Sequence, residues 1–389
     1  MTFSGKILSD WLIDGNGRPA FRRAMIAIEA GRIAAVGLAN EMNANGPDVL
    51  DLRNTTLIPG LIDCHVHLSL PENAGAGPAD SPPLFAERLC RYWHHGVMAV
   101  RDGGDRSGEV LRFRNLPAEP GRPRVTIFSA GGAFHRKGRY GGFIGSAVTD
   151  GDALADLTAQ RAPLVDHIKI INSGLNSLTQ FGVETPGQFT TDQLTRAVLA
   201  AKRLNRPVMV HANGKTPVAA AIQAGCASIE HGYFMGKENL QKMRDKQITW
   251  VPTAIPMKAL SEMLAPGTIE CDVARRTLDH QLEQMALARR LGVPVAVGTD
   301  AGSPGVAHGA GLVEEIKLFR LAGYTIEEAI RCASDNGARL IGSDALGRLA
   351  PGMPATFIAV PGPPEDLPES LMHIRCFYVV GELWSEYGA

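Results

Sequence analysis

A chain of 389 residues with 45% hydrophobic and 20% charged side chains can bury a large core and still carry a second module. A formal net charge of -1 gives no electrostatic reason to expect nucleic acid or an anionic membrane as partner, so a small-molecule substrate in a pocket is expected. Six cysteines without a CxxC pair argue against a zinc knuckle or a disulfide framework, and no apolar run approaches the roughly 20 residues of a bilayer span. The start, from Met1 to Trp11, lacks a basic stretch followed by an apolar core, so a cytoplasmic location is expected, with a homo-oligomer left open.

From Lys6 to Leu57, short alternating runs are broken by Asp-Gly, Asn-Gly and Ala-Gly pairs, which predicts hairpins and a small β-module. More of the same follows Gly352, at 355–360 and 374–382, so both ends of the chain are expected to build one β-sandwich. Between them strand and helix signals alternate. Strands are expected at 57–65, 97–101, 124–130, 165–171, 207–211, 227–231, 248–252 and 295–299. Helices are expected at 83–94, 152–162, 191–204, 215–224, 236–246, 272–291, 311–321 and 325–340, with 253–270 a loop carrying a short helix over the mouth. The fold class is therefore α/β: a (β/α)8 TIM barrel over 57–345, with the sandwich divided between 1–56 and 346–389.

Leu57 to His67 carries two imidazoles two residues apart at the end of an apolar run, and residues i and i+2 share a face of a strand. His65 and His67 can thus grip one cation, with Asp300 from the last strand closing the ring. His211 and His231, ending the fifth and sixth strands, supply a second pair. Lys169 ends the fourth strand, where a plain ammonium has no lone pair to offer a metal. Carboxylated by carbon dioxide, it becomes a bridging carboxylate. Two divalent metal ions are expected, zinc first for its preference for histidine and carboxylate ligands.

The pattern Pro-Gly-Leu-Ile-Asp-Cys-His-Val-His, then Ile168-Lys169, His211, Glu230-His231-Gly232 and Gly298-Thr299-Asp300, resembles the amidohydrolase superfamily. The resemblance is to members with two metals bridged by a carboxylated lysine, and among them to imidazolonepropionase-related amidohydrolases and Xaa-Pro dipeptidases (prolidases). It implies that His65, His67, His211, His231 and Asp300 are ligands and Lys169, as N6-carboxylysine, the bridge. The expected reaction is hydrolysis of a C–N amide bond in a small carboxylated substrate, a dipeptide or N-acyl amino acid, by a metal-bridging hydroxide with Asp300 as catalytic proton shuttle. A cyclic amide, imidazolone or lactone is the alternative. An aromatic deaminase ranks lower, because His211-Ala212-Asn213-Gly214 lacks a His-Xaa-Xaa-Glu arrangement.

Seven residues near strand ends are candidates for contact with substrate: His135, Arg101, Tyr233, Arg136, Lys215, Asn172 and His308. Arg136 belongs to a basic run with Lys137 and Arg139 suited to a substrate carboxylate. Arg101 has a competing role as the partner of Asp102 or Asp63, and Tyr233 as a packed ring with a satisfied hydroxyl.

Overall fold

The computed structural model describes residues 4–42, 48–72, 81–117, 125–150 and 153–384. Arg124 and Asp152, at which two elements were expected to begin, lie outside the described residues, as do residues 1–3. The chain opens with β1 (Gly5–Leu12), β2 (Phe21–Glu29), β3 (Arg32–Leu38) and β4 (Val49–Pro59). Ala30 and Gly31, both at positive φ, make the two-residue turn that pairs β2 with β3.

The central part runs β5 (Leu61–Val66), α1 (Pro82–His94), β6 (Val97–Asp102), α2 (Glu109–Arg114), β7 (Thr126–Ser129), β8 (Ala133–Arg136), β9 (Gly145–Val148), α3 (Leu154–Arg161) and β10 (Ile168–Ile171). It continues with α4 (Thr191–Lys202), β11 (Val208–Ala212), α5 (Lys215–Ala224), β12 (Ser228–His231), α6 (Gly236–Lys246), β13 (Thr249–Val251), α7 (Ile255–Met263) and α8 (Ile269–Leu291). Then come α9 (Ala310–Leu321), α10 (Ile326–Cys332), α11 (Asp335–Ile341), β14 (Phe357–Pro361), β15 (Cys376–Val379) and β16 (Glu382–Trp384). Three helices, α4, α8 and α10, start where a threonine hydroxyl accepts from a free amide. Thr190 with Gln193 and Thr325 with Glu328 form capping boxes at α4 and α10, and Gly225, Gly292 and Gly342 end α5, α8 and α11 in the left-handed conformation.

The two ends of the chain share one mixed seven-stranded sheet, in the order β16-β15-β14-β4-β1-β2-β3, where a sandwich was expected. β1 and β4 run parallel, and β4 pairs antiparallel with β14. The run expected as one strand over 57–65 breaks at Gly60. There a Cβ would lie 2.4 Å from Met98 Cγ, so only glycine lets the chain leave the mixed sheet and enter β5 against β6.

The central strands are parallel: β5-β6-β7 form one sheet and β13-β12-β11-β10-β8-β9 another. β5, β6, β10, β11 and β12 are buried along their whole length, as strands covered on both faces must be. Hydrogen bonds at two seams link the two sheets. Asp166 N donates to Ser129 O at 3.0 Å beside β7, and the extended segment 294–301 bonds Trp250 of β13 on one side and Cys64, His65 and His67 on the other. That segment carries only isolated bridges, Val295 to Trp250 and Ala301 to Val66, in place of the expected strand 295–299. The expected helix 325–340 divides at Ser334, whose hydroxyl donates back to Ile330 O at 2.6 Å. No helix among the described residues is long and apolar enough to cross a membrane.

Candidate metal centre

Residues at or near the ends of β5, β11, β12 and the 294–301 segment converge with Lys169, the second residue of β10. His65 Nε2 and His67 Nε2 lie 3.5 and 3.4 Å from Asp300 Oδ1, and the ligand atoms of these three residues all fall within 4.8 Å of one another. Lys169 Nζ is 3.2 Å from His65 Nε2. His211 faces His231 with ring centroids 4.5 Å apart, and His231 Nδ1 is 4.0 Å from Asp300 Oδ2. The six residues proposed from the sequence therefore form one cluster.

Each imidazole is oriented by a hydrogen bond on one ring nitrogen. His65 Nδ1 pairs with Glu230 Oε2 at 2.8 Å, and His67 Nδ1 donates to Gly104 O at 3.1 Å, which turns both Nε2 atoms toward Asp300. His211 Nε2 donates to Gly174 O at 3.2 Å, and His231 Nδ1 shares a 2.7 Å bond with the Thr253 hydroxyl. Burial holds the rings neutral: His67 and His211 are pushed down to about 3, and His65 and His231 well below the ordinary imidazole value. Burial also lowers Lys169 to about 8 and raises Asp300 to about 6, the latter against the opposing pull of Lys169. Neutral imidazoles with an inward nitrogen, beside a carboxylate, form the nitrogen and oxygen donor set that suits zinc and similar divalent cations. Space is reserved for it too, since a Cβ at Gly103 would lie 2.7 Å from His67 Cε1.

Glu230 was not among the residues singled out from the sequence. Its Oε1 accepts from Arg101 Nη2 at 2.7 Å and from Ser228, while its Oε2 holds His65; all of these side chains are fully buried or nearly so. On a regular strand Glu230 and His231 would face opposite sides, but His231 has φ 64° and turns its ring back into the cluster. The available signal was the buried Ser-Ile-Glu alternation, which puts Ser228 and Glu230 on one face.

A cavity of about 410 Å³ opens over the cluster. His67, Lys169, His211, His231 and Asp300 contribute to its lining, as do Tyr140, Asn213 and Tyr233. Of the seven substrate candidates, only Tyr233 is in that lining, and its hydroxyl donates to Thr253 O at 2.8 Å. The other six are placed elsewhere. Arg101 lies behind the cluster, bonded to Glu230 and Cys64 O rather than to Asp102 or Asp63. Arg136 is tied to Asp150, Gln188 O and Gln193, and His135 is buried with its Nδ1 on Arg136 O. Asn172 braces the Pro217 and Phe189 backbones, and Lys215 is exposed at the start of α5. His308 is enclosed between the Tyr92 hydroxyl and Leu70 O.

Residues 127–377 match the amidohydrolase family profile. Similar proteins include an ochratoxinase of Aspergillus niger, 28% identical over 95% of this chain and 84% of its own length. An imidazolonepropionase of Cupriavidus pinatubonensis is 26% identical over 89% of this chain and 85% of its own. Among solved structures, a Xaa-Pro dipeptidase with bound methionine in the active site superposes with a TM-score of 0.80 at 26% identity, covering 98% of this chain and 100% of the other. Aspergillus niger ochratoxinase superposes with a TM-score of 0.78 at 23% identity, covering all of this chain and 96% of the other, and that likeness bears on the fold.

Proposed function

We propose, from the premise that this chain belongs to the amidohydrolase family and is a hydrolytic enzyme acting on C–N bonds, that it cleaves the amide bond of a small molecule such as an N-acyl amino acid or dipeptide. The observation that carries this reading is the convergence of His65, His67, Lys169, His211, His231 and Asp300 in one cluster, all but the fully buried His65 lining one cavity. The parallel strands and the hydrogen bonds of the 294–301 segment support a closed (β/α)8 barrel over 57–345, with the 1–56 and 346–389 portions as its companion module.

In this reading His65, His67, His211, His231, Asp300 and a carboxylated Lys169 would hold two divalent cations. A lysine amine brought down to about 8 has the neutral nitrogen that reacts with carbon dioxide. The bound cations supply Lewis acidity, polarising the amide carbonyl and making water nucleophilic near neutral pH. Asp300 takes the proton of the attacking water and passes it to the departing nitrogen. Its Oδ2 accepts from Ser303 at 3.0 Å, which steadies the carboxylate for that transfer. Glu230 and Thr253 keep the rings of His65 and His231 aimed.

Elemental analysis of protein purified without chelator, with release of amine from N-acyl amino acids and dipeptides and ring opening of cyclic amides and lactones as the assays, tests the reading. About two metals per chain with amine release is the expected result, and metal-free active protein would refute it. The bridge has its own test. Lys169→Ala should lose most bound metal and regain part of it in acetate, and full loading without acetate would remove the bridging role.

A further inference from the structure

None of the cations that the sequence offered for a substrate carboxylate is in the lining of the cavity. Arg101 is bound to Glu230, Arg136 to Asp150 and Gln193, and Arg139 to Pro186 O, while Lys215 projects into water. Among the described lining residues, Lys169 is the one amine or guanidine, and it belongs to the ligand cluster.

Beside Asn176, Asn213, Ser303 and two tyrosines, the rest of the lining is mostly hydrocarbon. Phe143 precedes β9, Leu175 and Leu178 follow β10, and Pro256, Met257 and Leu260 present one face of α7. Leu175 is 59% exposed and Phe143 40%, so the apolar surface continues outward to the mouth. The α7 face is held in place: Glu315, fully buried on α9, accepts from Ala254 N at 2.9 Å and Ile255 N at 2.8 Å, fastening the start of the helix. Apolar side chains left in water at the mouth of a cavity gain by being covered, and a ligand able to cover them must itself be apolar.

We propose that the enzyme selects amides with a bulky apolar group, which packs against Phe143, Leu175, Leu178, Pro256, Met257 and Leu260, and that no protein cation reads a substrate carboxylate. This rests on the amide-hydrolase reading above and narrows its substrate class. The apolar group can belong to the acyl half or to the amine half of the amide; both halves share the same chemistry. Hydrolysis adds water across the C–N bond and releases one apolar and one smaller product, so no other co-reactant is needed.

The test is equilibrium binding to the zinc-loaded Asp300→Asn protein by calorimetry. One series lengthens the acyl chain of N-acylglycines from acetyl to octanoyl; the other lengthens the amino-acid side chain of N-acetyl amino acids from glycine to norleucine. A fall in Kd of about fourfold per buried methylene is expected in one series, which then identifies the half that enters the cavity. Leu260→Asp, or Met257→Ser where the first variant folds poorly, should flatten that slope. Methyl esterification of the tightest ligand should change Kd by less than threefold. A Kd independent of chain length in both series overturns the proposal, as does a loss above tenfold on esterification. Amine release by the wild-type enzyme separates the two readings. A chain-length slope without turnover defeats the hydrolase reading alone, and turnover without a slope defeats the apolar selection alone.

Discussion

Glu230 holds Arg101 with one oxygen and His65 with the other, in surroundings that exclude water. Removing its charge strands a buried guanidinium, so Glu230→Gln should lower stability by about 3–5 kcal/mol in chemical denaturation. It should also weaken metal binding by about 10–100-fold in chelator competition, because His65 loses its orienting partner. A variant with unchanged affinity would reduce Glu230 to a packing residue. For Asp300→Asn the expectation is different: most metal retained by elemental analysis, with kcat down by about 10²–10⁴-fold. Activity near that of the wild type would end its assignment as proton carrier. The residues at the strand ends were legible because histidines two apart on a strand must share a face. Arg101 was misread because its partner lies in β12, far along the chain, and a single sequence does not say which acid meets which base. The positive φ of His231, which seats Glu230 and His231 together, has no marker in the residue type itself.

At the scale of elements, α7 depends on a carboxylate from another helix. Burial raises Glu315 from the ordinary 4.5 to about 8, against the pull of its two backbone bonds. The folded protein therefore holds a proton that the unfolded chain releases above about pH 4.5. This group's contribution to stability is complete below that pH and is lost as pH rises through about 8. Urea titrations of metal-free protein between pH 5 and 9 should show a steeper loss of stability for the wild type than for Glu315→Gln. Parallel curves would show that Glu315 does not titrate on unfolding. Periodic helices such as α4, α5 and α6 were readable from pattern, α4 from its threonine cap as well. α2, of six residues, buries too few side chains to show a period, and β8 and β9, of four residues each among glycines, look like loop.

For the whole molecule, alternation of strand and helix signals pointed to parallel strands with helical crossovers, and hairpin turns at both ends pointed to a shared β-module. The single mixed sheet was not legible, because alternation along a strand says which face is covered without saying by what. The sheet also makes the two ends interdependent. A chain stopped after Ala350 lacks β14, β15 and β16, leaves β4 with an open edge, and should partition into the insoluble fraction on expression. A soluble truncated protein with the full complement of bound metal would contradict that dependence. The pairing of β4 with β14 also sets an order of events on the ribosome. β4 emerges long before Phe357, and at the usual pace of translation its neighbour is made only ~15–60 s later. During that interval the nascent sheet has one unfinished side, so a holdase that shields strand edges should raise the yield of active enzyme more than one that acts after release.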